Sequence, residues 1–115
     1  MILAQTAMIW LLLYVLAYLL IAEFVGMSLS VSEAMALLFA AALGLAIPAA
    51  PSGLGTFHAA IVSAFVLLGR PAADGLVLAI AIHGVFFVGF CVIGAVALAI
   101  ATRKLGSLRI RGEKA

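Results

Sequence analysis

Two prolines, two glycines and a histidine interrupt the apolar sequence near the middle of this chain. They lie in the run Ile47-Pro48-Ala49-Ala50-Pro51-Ser52-Gly53-Leu54-Gly55-Thr56-Phe57-His58. Backbone that is not helical is tolerated at membrane depth only where it is buried in protein or lines a water-filled cavity. Short hydrophobic segments interrupted by Pro and Gly are also the best sequence indication of a transporter's binding site. We therefore expect the functional site to lie in this run.

The composition identifies the chain as an integral membrane protein. Of its 115 residues, 69% are hydrophobic and only 9% are charged, whereas soluble domains are about 45–50% apolar and about 25% charged. The single cysteine, Cys91, excludes an intramolecular disulfide and any paired-cysteine motif. Nucleic-acid binding is not expected either, because the basic residues form no face on a soluble element.

The apolar pattern predicts an all-α membrane domain over residues 1–102, followed by a basic tail over 103–115. Two helices, 2–22 and 74–102, are each long enough for one full crossing of about 30 Å. Between them lie two helices that are only about 20–22 Å long, and the sequence places them at residues 33–47 and 56–68. Pro48 and Pro51 end the first of this short pair.

The basic residues predict the topology. Five of the six lie in the tail, and cytoplasmic flanks carry the excess of Lys and Arg, so we expect both termini in the cytoplasm, with the tail as the anchor through Arg103, Lys104, Arg109 and Arg111. A loop on the cytoplasmic side should carry Lys or Arg, whereas the segment 48–56 carries no charge. The sequence thus favours a re-entrant hairpin entered from the outer face, with a thin spanning hairpin as the alternative.

Three local patterns predict how the short helices begin, pack and end. Ser30 and Glu33 have the spacing of a capping box. Small residues four apart on the second short helix (Thr56, Ala60 and Ala64) allow close helix approach in membranes, and a bulky stripe formed by Phe57, Ile61, Phe65 and Leu68 lies on another side. Asp74 is expected to pair with Arg70 or to complement the next helix's N-terminus.

The residues that could bind a ligand lie at and just after the interruption. The segment formed by Pro51, Ser52, Gly53, Gly55 and Thr56 leads into a helix N-terminus, which attracts anions, and a lipid phosphate is the obvious anion in a membrane. The alternative is a turn that only lets the chain reverse. No lysine follows the glycines, so this is not a nucleotide phosphate loop.

Two histidines lie within the apolar helices, at positions 58 and 83. Ionisable side chains inside a membrane indicate function or a buried pair. If the hairpin is re-entrant, His58 and His83 reach similar depth, where one could donate to a phosphate oxygen or the two could pair. Each could equally be satisfied by a neighbouring carbonyl. Two histidines are too few ligands for zinc, so we expect no metal and no cofactor.

The sequence contains no set of residues that indicates an enzyme. Ser52, Thr56 and Ser63 have no carboxylate partner within the membrane segments, and all four acids lie at loops or in the tail. Glycosyl transfer would need placed carboxylates or a metal. We therefore expect a protein without catalytic activity.

At these residues the chain resembles the C-terminal portion of the lysylphosphatidylglycerol synthase transmembrane (flippase-like) family. Members carry a pattern close to lP-x-x-P-G-G-l-G-x-f-E, then a short apolar helix ending in Gly, then a helix with a basic or histidine position. Ser52 stands at the first glycine of the pair, and His58 stands where many members have glutamate. His83 resembles the histidine of one subgroup. The resemblance covers roughly residues 30–100.

The resemblance implies an inner-membrane, multi-pass protein that moves or houses lipids. Our leading hypothesis is a translocation module for a phospholipid or a polyprenyl phosphate. One alternative is a structural or assembly subunit, or a truncated member without activity of its own, which would bind other transmembrane helices or a second copy. Another is a membrane glycosyl or polyprenyl-phosphate transferase.

Overall fold

The computed structural model describes residues 2–49 and 51–113, with side chains as far as residue 104, and these residues form helices joined by short turns, with no strand. Four helices follow one another along the described chain. They are α1 (Ile2–Phe24), α2 (Val31–Ala46), α3 (Thr56–Leu67) and α4 (Ala72–Glu113). A short 3₁₀ turn, Pro51–Gly53, lies between α2 and α3. The protein is thus all-α.

Two of the helices have the length and composition of membrane spans. α1 has 23 residues, and α4 has an apolar part of 33 residues, Ala72–Lys104. By contrast α2 and α3 have 16 and 12 residues, which correspond to about 24 and 18 Å. The lengths of α1 and α4 therefore match a hydrocarbon core of about 30 Å, whereas α2 and α3 are too short to cross it.

The last helix departs most from the sequence prediction. Its backbone stays helical to Glu113, whereas the sequence ended the span at residue 102 and assigned 103–115 to a tail. The extension follows from the residues beyond Thr102, because they include no proline and several basic residues with good helix propensity. Arg103 and Lys104 are exposed, while the side chains of Arg109 and Arg111 lie outside the described part.

The chain divides after His83 into two compact units. The second unit is the remainder of α4, and most of its large apolar side chains between Val85 and Ile100 are exposed. The first unit holds α1, α2, α3 and the beginning of α4. All of the described buried apolar side chains belong to the first unit, which carries the core.

Within the first unit, α1 packs through its second half only. Residues 2–13 are all exposed, and a π-helical segment, Trp10–Tyr14, interrupts the helix before the packed part. The buried residues that follow are Val15, Tyr18, Ile21 and Ala22. This half of α1 contacts α2, so α1 is anchored at its C-terminal end.

Helices α2 and α3 form a tightly packed hairpin. A Cβ placed on Gly44 of α2 would lie 2.7 Å from the Thr56 carbonyl oxygen and 2.8 Å from the Cβ of Ala60. The small face of α3 is therefore the surface on which α2 packs, as the spacing predicts. The bulky stripe is buried at Phe57, Ile61 and Phe65, but Leu68 is 40% exposed, because it follows the end of the helix.

The beginning of α4 packs on α3 with an equally close approach. A Cβ on Gly75 would lie 2.9 Å from the Cβ of Phe65 and 3.2 Å from the Cα of Val62. Leu78, Ala79 and Ile82 are buried further along α4. α3 is thus held between α2 and the first turns of α4.

Helix α3 ends in a Schellman motif that turns the chain sharply into α4. The Arg70 amide donates to the Phe65 carbonyl at 2.9 Å, and the Gly69 amide donates to Val66 at 3.0 Å. Gly69 has φ +75°, the left-handed conformation that glycine adopts without a steric penalty. The turn places Arg70 at the end of the hairpin, next to the residues that begin α2.

A polar corner, formed by Ser28, Ser30, Glu33 and Arg70, joins four chain segments. The capping box is present in full: the Glu33 amide donates to Ser30 Oγ, and the Ser30 amide donates to Glu33 Oε2 at 2.7 Å. Arg70 Nε donates to Glu33 Oε1 at 2.6 Å, and its Nη2 donates to the Ser28 carbonyl at 2.9 Å. The loop after α1, both ends of the hairpin and the turn before α4 therefore meet here.

This arrangement distinguishes between the two roles that the sequence left open for Asp74, pairing with Arg70 or complementing the N-terminus of the next helix. The guanidinium pairs with Glu33 across the hairpin rather than with Asp74 four residues along. Asp74 lies in the first turn of α4, where a negative charge complements the helix dipole. The guanidinium also lies over the Phe65 ring, 5.9 Å from its centroid.

Candidate functional site

The hairpin tip, residues 47–49 and 51–55, is the only described part of the hairpin that leaves α-helical geometry, and it carries no charged residue. Ile47 adopts an extended conformation, as expected of the residue before a proline. Ser52 has φ +57°, so a serine occupies a left-handed position that favours glycine. Most of the tip is exposed, including Pro51, Ser52 and Leu54.

The tip leads directly into the N-terminus of α3. Gly55, with φ +92°, occupies the N-cap position, and no side chain caps the helix. Thr56 Oγ1 donates to the Gly53 carbonyl at 3.2 Å, which ties the tip to the first turn. Gly53 is buried against Leu45 of α2. The five predicted tip residues thus lie together, around a helix start that lacks a side-chain cap.

The two histidines contact one another. Their rings are nearly parallel, with centroids 5.0 Å apart and an interplanar angle of 18°. We call this pair the imidazole stack. His58 belongs to the first turn of α3 and His83 to α4, so the stack connects the hairpin to the last helix. This ring–ring contact is one of the arrangements that the sequence left open.

Phe57 completes an aromatic cluster around the stack. Its ring is T-shaped to His83 at 5.2 Å and to His58 at 5.6 Å. Phe57 is 5% exposed, while both imidazoles are half-buried. The sequence identified Phe57 only as part of a bulky stripe, because nothing local indicates that His83 returns to it from another helix.

The stack lies well inside the apolar part of the first unit. His58 precedes the end of α3 by nine residues and His83 follows the start of α4 by eleven, so both rings are about 14–17 Å from the polar corner along their helices. Half of a hydrocarbon core of about 30 Å is a similar distance. The two rings therefore lie at similar distances from the polar corner along α3 and α4.

Among the residues that the structure describes, no group of three or more His, Cys, Asp or Glu side chains could hold a metal ion. Cys91 is exposed on α4. Glu33 is engaged by Arg70 and Ser30, and these hydrogen bonds lower its pKa from 4.5 to about 2. Glu33 is therefore fully ionised near neutral pH and acts as the acceptor at the centre of the polar corner.

Two apolar helices of spanning length and a short helical hairpin define a helical membrane protein. A comparison with protein families then identifies which one: the family described as Lysylphosphatidylglycerol synthase TM region matches residues 1–103. The chain belongs to this family. The match extends over all of α1, beyond the stretch 30–100 on which the sequence resemblance depends. No curated protein and no solved structure matches the chain.

Proposed function

We propose that this chain is a lipid-translocation module whose hairpin receives an anionic head group. The observation that carries the proposal is the contact between the two imidazoles beside an uncharged hairpin tip. The rings lie about 14–17 Å from the polar corner along their helices, which we take to be about half of the hydrocarbon thickness. Ionisable groups at such depth are costly and mark substrate or ion pathways. Membership of the family supports a role in the membrane, and the movement of lipid is our proposal.

The head group would be held by the start of α3 and by the two imidazoles. The first amides of α3 have no side-chain cap, and a helix N-terminus of this kind favours a phosphate. His58 lies in the same turn, and His83 lies against it. The acyl chains would stay in lipid, against the exposed apolar surfaces. Pro51, Ser52, Gly53, Gly55 and Thr56 would shape the entrance.

The lipid is defined by a phosphate ester on a long apolar chain, which phospholipids and polyprenyl phosphates share. We place the protein in the inner membrane with both termini in the cytoplasm, because Arg103 and Lys104 begin a basic segment that fits the cytoplasmic side. The polar corner then faces outside. The hairpin is re-entrant: α3 spans about 18 Å from this corner, which is less than the hydrocarbon thickness.

The experiment is reconstitution of the full chain into vesicles that carry either a fluorescent phospholipid or a fluorescent polyprenyl phosphate in one leaflet. The wild-type chain should accelerate exchange between leaflets for at least one probe. The double variant His58→Ala plus Gly55→Leu should lose that acceleration, because it removes one imidazole and blocks the uncapped helix start. Lipid exchange that is equally fast in the double variant and in the wild-type chain would contradict the proposed mechanism.

A matched control exists for the glycine substitution. Gly26 also has a positive φ, +81°, and a Cβ at either Gly26 or Gly55 would meet nothing within 4 Å. Gly26→Leu therefore also places a side chain at a positive φ, in a turn that is not part of the hairpin tip. It should leave lipid exchange unchanged, while Gly55→Leu should lower it.

A structural or assembly subunit is the second candidate function. It is favoured by the first half of α1, where every described residue from 2 to 13 is exposed, since a partner helix could pack there. The size of the protein in mild detergent distinguishes the two candidates. A monomer that moves lipid supports the translocation module, whereas an inactive chain that is recovered only in a complex supports the subunit.

A further inference from the structure

The imidazole stack is a contact between two titratable side chains that lie on different helices of the apolar core. Its rings face each other at 5.0 Å, one on α3 and one on α4. Phe57 lies T-shaped to both rings. With both rings neutral, the three aromatic side chains pack in the favoured offset and T-shaped arrangements. The contact is therefore stable while neither imidazole, or only one, carries a proton.

A second proton changes the sign of the interaction. Two imidazolium cations would then face each other at 5.0 Å, in surroundings where charges are screened much less than in water. One protonated ring can be accommodated by the faces of its neutral neighbours. Two protonated rings repel, and separation of α3 and α4 at this level relieves the repulsion.

The other titratable groups of the first unit are not placed to neutralise a second charge. His58 is the only titratable residue of α3. On the part of α4 up to His83 the only other titratable residue is Asp74, which precedes His83 by nine residues, or about 14 Å along the helix. On α2, Glu33 is occupied by Arg70. On α1 the titratable residues are Tyr14, Tyr18 and Glu23, and Glu23 is exposed at its end.

We propose that the imidazole stack is a proton-operated contact between the hairpin and α4, closed with at most one proton and opened by the second. The proposal rests on the proposed function, because it names the proton as the ion that regulates access to the head-group site. Opening moves His83 away from His58 and Phe57 and exposes the start of α3. Loss of a proton restores the stack.

The first test follows the two imidazoles directly and needs no lipid-transport assay. The full chain, with ¹⁵N-labelled histidine, is placed in phosphatidylcholine nanodiscs and titrated by NMR. Coupled groups lose their protons in two macroscopic steps, so the wild-type chain should show two transitions about one pH unit or more apart. His58→Phe and His83→Phe each keep an aromatic ring in the stack, and each should show a single transition.

The second test measures the distance between the helices. Spin labels are attached at Ala59→Cys on α3 and Ile80→Cys on α4, two exposed positions, in a chain that carries Cys91→Ala. The distance should increase as the wild-type chain takes up its second proton and should stay constant with pH when His83→Phe is present. Independent titration of the two histidines, or a distance that does not change with pH in the wild-type chain, would overturn the proposal.

These outcomes are separable from the proposed function. A coupled titration with a pH-dependent distance, in a chain that moves no lipid, keeps the proton-operated contact and rejects translocation. If the chain exchanges lipid but the two histidines titrate independently, lipid translocation is supported and the proton-operated contact is rejected.

Discussion

Gly44 of α2 lies so close to the Thr56 carbonyl of α3 that a Cβ at position 44 would be only 2.7 Å from that oxygen. The other near atoms are the Cβ of Ala60 at 2.8 Å and the Cα of Phe57 at 3.1 Å. Two of these three are backbone atoms and cannot move independently of the helix. The absence of a side chain at Gly44 thus sets the distance between the two arms of the hairpin near its tip.

Gly44→Ala is predicted to destabilise the hairpin by about 1–3 kcal/mol, the range typical of overpacking. The measurement is chemical unfolding of the reconstituted chain in mixed micelles. The matched control is Gly94→Ala on α4, where a Cβ would meet nothing within 4 Å and helix propensity favours alanine. Equal stability of the two variants would contradict the close packing.

The ion pair in the polar corner predicts a dependence of stability on pH. Because the folded-state pKa of Glu33 is about 2, below its ordinary value of 4.5, its contribution is complete above pH 4.5 and is lost as the pH falls towards 2. Glu33→Gln should therefore lower the free energy of unfolding at neutral pH by about 1 kcal/mol, a value reduced for solvent exposure. The difference from wild type should shrink below pH 4.5.

Asp74→Asn provides the control for this experiment. Asp74 is the acid that the sequence places next to Arg70, yet the guanidinium binds Glu33. Removal of the charge on Asp74 should thus change stability less than Glu33→Gln does. If Asp74→Asn were the more destabilising variant, the pairing in the polar corner would be wrong.

Ser52 is predicted to be a strained position in the tip. A serine at φ +57° and ψ +18° pays a penalty of about 1–2 kcal/mol in the left-handed region, which glycine avoids. Ser52→Gly should therefore increase the free energy of unfolding by up to about 1 kcal/mol, after allowing for the greater freedom of glycine in the unfolded chain. Ser63→Gly, at an exposed position inside α3, should have the opposite effect.

Much of the local structure could be predicted from the sequence because its causes are local. The capping box depends on two residues three apart, Ser30 and Glu33, and both of its hydrogen bonds are present. Pro48 restricts the residue before it to an extended conformation, so α2 ends at Ala46. The small face of α3 depends on helical spacing alone, and Gly44 packs against it.

The contacts between distant residues could not be predicted in the same way. Arg70 and Glu33 are 37 positions apart, and only the antiparallel hairpin brings them together, so the sequence offered Arg70 no partner other than its neighbour Asp74. The π-helical segment Trp10–Tyr14 contains neither Pro nor Gly to indicate it. Helical spacing shows which residues share a face, but it does not show which helix that face meets. For this reason Phe57 was not recognised as a neighbour of His83.

The depth of the tip is the central claim, and cysteine labelling at Ser52 measures it most directly. In a chain carrying Cys91→Ala, Ser52→Cys is exposed to a membrane-impermeant reagent from each side, with Ala73→Cys reporting the outer side and Lys104→Cys the cytoplasmic side. We predict that Ser52→Cys reacts from outside or from neither side. Labelling from the cytoplasm and not from outside would contradict the re-entrant hairpin and the head-group site built on it.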